Sequence, residues 1–327
     1  MLMFVLRRLL SFAVMMVLIS IAAFAIIQLP PGDFITTLAA GLERSGDVDT
    51  AQLEFLRQRF GLDQPIWVQY WRWISAIVFH GDFGYSFMWK KPVADLIWDQ
   101  LGFTLIISIA TLLFSWVISF PIGVYSAVRQ YSWGDFLFTF IGFIGLAVPN
   151  FLLALILMYV GFQYFGQSVG GLYSPEFQDA AWSWGKFMDL LAHLWIPIIV
   201  IGASKTAELI RIMRANLLDE LNKPYVTTAR AKGMTEVRML VKYPIRLALN
   251  PFVSTVGWVL PSLISGAVIA SVVLNLPTVG PILLNSLQSQ DMYLAGAFIL
   301  LLSLLTLIGT LVSDILLAWL DPRIRLE

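Results

Sequence analysis

Residues 9–27 read LLSFAVMMVLISIAAFAII, an unbroken stretch of 19 residues behind the basic pair Arg7-Arg8. Its only polar side chains are two serines. A removable secretory leader is one reading, with Ala23-Phe24-Ala25 as the small-residue cleavage site. The apolar part of such a leader is about 7–15 residues long, whereas a membrane span needs about 20 at 1.5 Å each. This stretch has the length of a span, and the chain is read as beginning with one.

Five more stretches have that length, so the predicted spans are 9–29, 103–128, 136–165, 190–213, 249–274 and 293–320. The third and sixth are long enough to require tilt or a protruding end. The whole composition agrees. Of 327 residues, 58% are hydrophobic and 13% charged, against about 45–50% and 25% in soluble domains. The expected fold class is an all-α polytopic membrane protein with six transmembrane helices. Net charge is zero, which gives no reason to expect a nucleic acid partner. The chain has no cysteine and only His80 and His193, so thiol chemistry, disulfides and a histidine-rich metal site are excluded.

Lysine and arginine set the orientation. With the N-terminus in the cytoplasm, thirteen of the 21 basic residues fall on inside segments and seven outside, Lys205 lying within a span. Both termini are then cytoplasmic. Three regions follow: an N-terminal helix (1–29), an extracytoplasmic region (30–102) and a five-helix core (103–327) with a polar cytoplasmic loop at 215–248. The extracytoplasmic region contains Trp67, Trp71, Trp73, Trp89 and Trp98 and a short amphipathic stretch at 52–60. Tryptophan favours the bilayer interface, so a small folded cap on the outer surface is expected.

The polar loop is the most informative part. A helical pattern through Leu217, Leu218 and Leu221 stops near Pro224. A second, starting at Tyr225, ends at Gly233, where glycine supplies the left-handed conformation of a C-cap. Thr235 is then the expected N-cap of a helix at 236–241. The short middle helix has small residues on one face and basic neighbours. By itself this also fits an ordinary basic loop on the inner side.

Within the spans, Lys205 and Glu208 are three residues apart and share a helix face, so they are expected to pair. Asp314 lies near the cytoplasmic end of the last span. A charge at membrane depth costs about 2.5–3.5 kcal/mol at a helix centre, which makes each a functional candidate as well as a structural one. Pro121, Pro149, Pro197 and Pro261 fall in or near spans, and Pro149-Asn150 is the best hinge candidate. Ser262, Ser265 and Gly266 would permit close helix packing. Asn285, Gln288 and Gln290 are predicted on the outer side. The only Gly-Lys, Gly185-Lys186, is followed by Phe187 and lacks the upstream glycine of a phosphate-binding loop. No zinc-protease or serine-hydrolase motif occurs, and the chain is read as a non-enzyme.

YVTTARAKG (225–233), followed by KYPIRLALNPFV (242–253), resembles the loop by which permeases of ABC importers, in their oligopeptide-permease branch, dock into ATPase subunits. LRRLLSF (6–12), PPGDF (30–34), FGLDQP (60–65), HGDFGYS (80–86), LAVPNF (146–151), MRANLLDEL (213–221), the segment 275–296 and SDILLAWLDPRIR (313–325) resemble that branch in the same order. The family's Glu-Ala-Ala-three-residues-Gly pattern falls here on Thr227, Thr228, Ala229 and Gly233. Its glutamate and first alanine are replaced.

The resemblance implies a type I importer fold and an ATP-driven alternating-access permease in the bacterial cytoplasmic membrane. Its cargo would be oligopeptides or similar solutes, oligosaccharides included. The implied partners are a second homologous permease subunit forming a heterodimer, two ATPases carrying the ATP and Mg²⁺, and an extracytoplasmic substrate-binding protein. It assigns ATPase coupling to Tyr225, Thr227, Thr228, Ala229, Arg230, Ala231, Lys232, Gly233 and Met234. The translocation pathway would take Lys205, Glu208, Pro149, Asn150, Ser262, Ser265, Asn285 and Gln288. The rival from another class is a proton-coupled secondary transporter using Lys205, Glu208 and Asp314 as a relay.

Overall fold

The computed structural model describes residues 2–28, 64–86, 88–168, 170–254 and 268–320. They form two compact units. One comprises Leu2–Phe103 with Thr278–Leu305, the other Thr104–Pro277 with the stretch from Thr306 onward.

In the first unit the opening apolar run forms α1 (Leu2–Gln28). After Pro65, whose extended backbone starts the turn, α2 (Ile66–Ser75) continues into one π turn at Ala76–His80. Gly81, at φ +63°, ends it. The helix is two-faced. Trp73 is buried with Phe24 and Leu300, with Tyr70 packed beside them, while Trp67 and Trp71 face outward. The Ser20 and Tyr70 hydroxyls share a 2.8 Å hydrogen bond, and Phe24 meets Tyr70 edge-on, ring centres 5.5 Å apart. This part of the predicted cap is therefore anchored on a span. The predicted amphipathic stretch at 52–60 lies outside the described residues.

Two short strands, β1 (Tyr85–Ser86) and β2 (Lys91–Pro92), pair antiparallel and lead into α3 (Val93–Val128). The same unit contains α11 (Val279–Gln288) and the start of α12 (Met292–Leu320). Asp291, fully buried, joins hairpin to helix: it accepts the Ser86 hydroxyl at 2.6 Å and receives the Leu294 amide at 3.4 Å. Gly84 is required there. A Cβ at that position would come within 2.7 Å of the Tyr293 ring.

The second unit is built on α3 and α6 (Trp184–Leu221). Thr104, Ser108, Thr111, Ser115 and Ser119 recur every three or four residues along α3 and are all buried. Helical periodicity puts them on one face. Opposite lie Gly202 and Thr206 of α6; Thr206 donates to Ser115 at 3.1 Å, and a Cβ on Gly202 would touch Thr111 at 3.1 Å. Lipid supplies no hydrophobic drive between helices, so close approach through small and hydroxylic residues supplies the packing. One end of this interface has no slack at all. A Cβ on Gly123 would sit 2.7 Å from Met213 Cβ. Gly123→Leu is expected to cost about 1–3 kcal/mol through overpacking. Gly142→Ala, whose added carbon meets Ala207 at an ordinary 3.7 Å, serves as the neutral control. Thermal unfolding of the solubilised chain checks both.

The third predicted span is corrected. It is two helices, α4 (Trp133–Ala147) and α5 (Asn150–Phe165), turned by 104° at Val148-Pro149. Proline disfavours the helical region for the preceding residue, and here both Val148 (ψ 122°) and Pro149 (ψ 135°) are extended. The 15- and 16-residue helices are each about 22–24 Å long at 1.5 Å per residue, so neither crosses a 30 Å core lying straight. Among the described residues, four single helices have the length and apolarity of spans, and the bent pair makes a fifth candidate. Pro121 and Pro197 stay inside continuous helices. Of the predicted fifth span, part of α9 (Pro244–Ser254) and all of α10 (Val268–Val273) are described. Ser262, Ser265, Pro261 and Gly266 lie outside the described residues.

α9 packs on α6 through Leu209, Met213, Leu217, Ala248 and Phe252. The Trp116 ring of α3 stands 5.1 Å from Phe252, closing a three-helix core. Ser313 of α12 donates to the Ser254 carbonyl at the end of α9 at 3.2 Å.

Candidate functional site

α6, at 38 residues, is about 57 Å long and outruns a 30 Å hydrocarbon core. It continues the fourth span, expected to end at 213, into the polar loop and ends at Leu221, three residues before Pro224, near which the stop is predicted. Pro224 occupies the first turn of α7 (Pro224–Ala231), where a missing N–H costs nothing. The helix closes in a Schellman motif. The Met234 N–H reaches the Ala229 carbonyl at 3.2 Å and the Gly233 N–H reaches that of Arg230 at 2.9 Å. Gly233 sits at φ +76°, the conformation this motif demands and glycine supplies. Thr235 stands at the N-cap of α8 (Glu236–Lys242) in extended conformation, but its side chain makes no capping hydrogen bond. The cap predicted for Thr235 is thus positional only.

α8 folds back against α7. Val226 and Ala229 are buried against Met239, with Tyr225, Met234 and Leu240 alongside. Ala229 is therefore consumed internally, although it was expected on the open small-residue face. The exposed residues of α7 and its closing turn include Thr227, Thr228, Ala231, Lys232 and Gly233, and on α8 Val237 and Val241 are exposed as well. Val237 is 73% exposed and Val241 62%. Their four-residue spacing was the available signal for this apolar pair, which the sequence reading missed. Arg230 makes a two-pronged pair with Glu236, at 2.9 and 3.3 Å. Both side chains are exposed, and such a pair is worth about 1 kcal/mol or less. It orients α8 more than it stabilises it. The Tyr225 hydroxyl donates to Glu220 on the last turn of α6. Burial, reinforced by that carboxylate, pushes its pKa above the ordinary phenol range, so Tyr225 remains a neutral donor tying α7 to α6.

On α6 the predicted Lys205–Glu208 pair forms at 3.3 Å, both groups partly buried. A stronger one was not anticipated. Arg214 grips Asp135 with two hydrogen bonds of 3.0 and 2.9 Å, and Asp135 is 2% exposed. The same carboxylate accepts the Tyr131 amide at 3.0 Å, while Ser132 caps α4 by receiving the Asp135 N–H. The α3–α4 turn is thereby fastened to α6 just above the polar loop.

Asn285 and Gln288 are exposed on α11, three residues apart, with Ser286 buried between them. Pro149 and Asn150 form the bend already described. No hydrogen bond from the Asn150 side chain reaches the carbonyls freed there, among the described residues. Asp314 is half-buried on α12, next to Ser313. Among the described residues no group of three metal-binding side chains gathers.

Residues 119–326 match the family described as binding-protein-dependent transport system inner membrane component. Residues 1–110 match the N-terminal model of the same membrane components. The oligopeptide transport system permease protein AppB of Bacillus subtilis (strain 168) is 36% identical over 326 residues, covering 98% of this chain and 99% of that protein. The glutathione transport system permease protein GsiC of Escherichia coli (strain K12) is 32% identical over 325 residues, covering 99% of each. A chain of the MetNI methionine ABC transporter, crystallised in inward-facing form, has the same fold. Its TM-score is 0.53 at 16% identity, covering 69% of this chain and 98% of that one.

Proposed function

Since the chain belongs to the binding-protein-dependent transport system inner membrane component family, we propose that it forms half of the translocation pathway of an ATP-driven peptide importer. The observation that carries this reading is likeness along the whole chain to permeases named for oligopeptides and glutathione. It weighs against the proton-relay alternative, because that rival needs Lys205, Glu208 and Asp314 to drive transport alone.

Membership as a permease implies ATPase and substrate-binding partners. The finer assembly is our reading: one similar but distinct permease, two cytoplasmic ATPases and one extracytoplasmic binding protein, with both termini of this chain in the cytoplasm. Cargo is taken to be a short peptide or a solute of similar size. α7 and α8 then face the ATPases. Thr227, Thr228, Ala231, Lys232 and Gly233, with Val237 and Val241, are the exposed residues that a groove on an ATPase would cover. Because the Tyr225–Glu220 hydrogen bond ties α7 to α6, closure of the ATPases moves α6 rather than bending the loop. Lys205 and Glu208 ride on that helix. The Val148-Pro149 break, Asn285, Gln288 and the serines at 262 and 265 are assigned to the pathway on the same reading.

The test is to extract the chain from its native membrane with whatever accompanies it and reconstitute the mixture in proteoliposomes. ATPase subunits in the preparation, with hydrolysis stimulated by an extracytoplasmic binding protein, are expected. A chain that purifies alone and transports on a proton gradient overturns the proposal.

A further inference from the structure

Where α2 and its π turn lie along α1 and α12, an apolar groove of about 380 Å³ remains. Met16, Val17, Ile74, Val78, Leu300 and Leu304 are among its walls. Its hydroxyl groups are already engaged. Ser20 and Tyr70 bond each other, and Ser75 donates to the Arg72 carbonyl at 3.1 Å. An occupant therefore finds mostly hydrocarbon contact, the hydroxyls of the groove being already engaged.

Depth restricts that occupant further. At 1.5 Å per residue, Met16–Ser20 lie about 12–18 Å along α1 from Arg8, and Leu300–Leu304 about 14–20 Å along α12 from Asp291. Both sets fall in the middle of a core about 30 Å thick. Water is excluded there, and a void would forfeit the contacts of every wall atom. The groove is also continuous with the lipid-facing side of α1. Val17 lines it and is 56% exposed, next to Val14 and Leu18 on the same outer face. Trp71, Val78 and Phe79 form the opposite lip, each 65% exposed or more.

We propose that this groove is a resident lipid site that takes one acyl chain of a bilayer phospholipid, wedged between α2 and the two spans. The inference needs only that α1 and α12 cross the bilayer, so it stands or falls separately from cargo and ATPase coupling.

The test uses the complete transporter in proteoliposomes containing a phospholipid with a photoreactive diazirine in mid-chain. After illumination, adducts are mapped by peptide mass spectrometry. Labelling at Met16, Ser20 and residues 74–79 is expected several-fold above that at Leu10, Val14 and Leu18 on the outer face of α1. Ile74→Trp, or Val78→Trp if the first variant fails to assemble, is expected to lower groove labelling several-fold and leave the outer face unchanged. Equal labelling of groove and outer face in the unmodified protein overturns the proposal. So does a groove-filling variant that labels like the parent, or cross-linking of these residues to a second permease subunit instead of lipid.

Discussion

Arg214→Ala is expected to destabilise the chain by about 3–5 kcal/mol, the cost of leaving a buried charge without its partner. Asp135 is 2% exposed and would keep the Tyr131 amide, together with the favourable field at the start of α4. Those remaining contacts favour the lower end of the range, as does the 27% exposure of the Arg214 side chain, through which water can enter. A paired replacement, Asp135→Leu with Arg214→Met, removes both charges. It is expected to recover most of the loss, because well-packed apolar substitutes for a buried pair are often neutral. Thermal unfolding of the solubilised protein reads both results. A single-mutant loss below about 1 kcal/mol would class the pair with ordinary surface bridges and remove it as the clasp between the α3–α4 turn and α6.

Gly233→Val should leave membrane insertion intact and uncouple ATP hydrolysis from uptake. There is space for the side chain, since nothing lies within 4 Å of a Cβ there. The obstacle is the backbone at φ +76°. A residue with a Cβ pays about 1–2 kcal/mol in the left-handed region, and a β-branched one is a genuine outlier there. Because 1.4 kcal/mol is tenfold in an equilibrium, the equilibrium constant for the correctly closed α7–α8 pair falls roughly tenfold, and uptake per ATP falls with the closed population. Gly233→Asn discriminates between explanations, because asparagine is accepted at this position of the motif. Near-normal coupling is expected for it. Uptake per ATP measured in proteoliposomes decides, and unchanged coupling in the valine variant would remove α7 as the transmitting element. A loss as large with asparagine would point to contact chemistry at residue 233 rather than to backbone shape.

The features legible in the chain were the local ones. Spans are decided by apolar length, since the bilayer imposes the same requirement on every segment. The Lys205–Glu208 pair was readable because three residues along a helix bring side chains together whatever else the fold does. Gly233 was readable as a terminator because no other residue so easily takes its backbone angles. The order of helices through the polar loop followed from Pro224, Gly233 and Thr235. The likeness to importer permeases rested on short motifs spread in order along the chain, and the family match runs over the same length.

Features that depend on contacts between distant segments were not legible. Asp135 and Arg214 are separated by 79 positions, and neither stands out from an ordinary interfacial charge until α4 and α6 are side by side. Ala229 was read as open to a partner, but α8 doubles back and Met239 covers it. The apolar run at 136–165 carries the correct average hydropathy for a tilted helix, yet Val148 and Pro149 turn it by 104°. Proline permits kink, break or tolerance with equal ease, and only the surrounding packing selects among them. The chain by itself therefore determined its solvent, its helical class and its local caps, because those follow from interactions within a few residues. Which helix faces are spent on one another, and which remain for lipid or partner, was decided by the tertiary structure alone, since that choice depends on long-range pairings that no local pattern encodes.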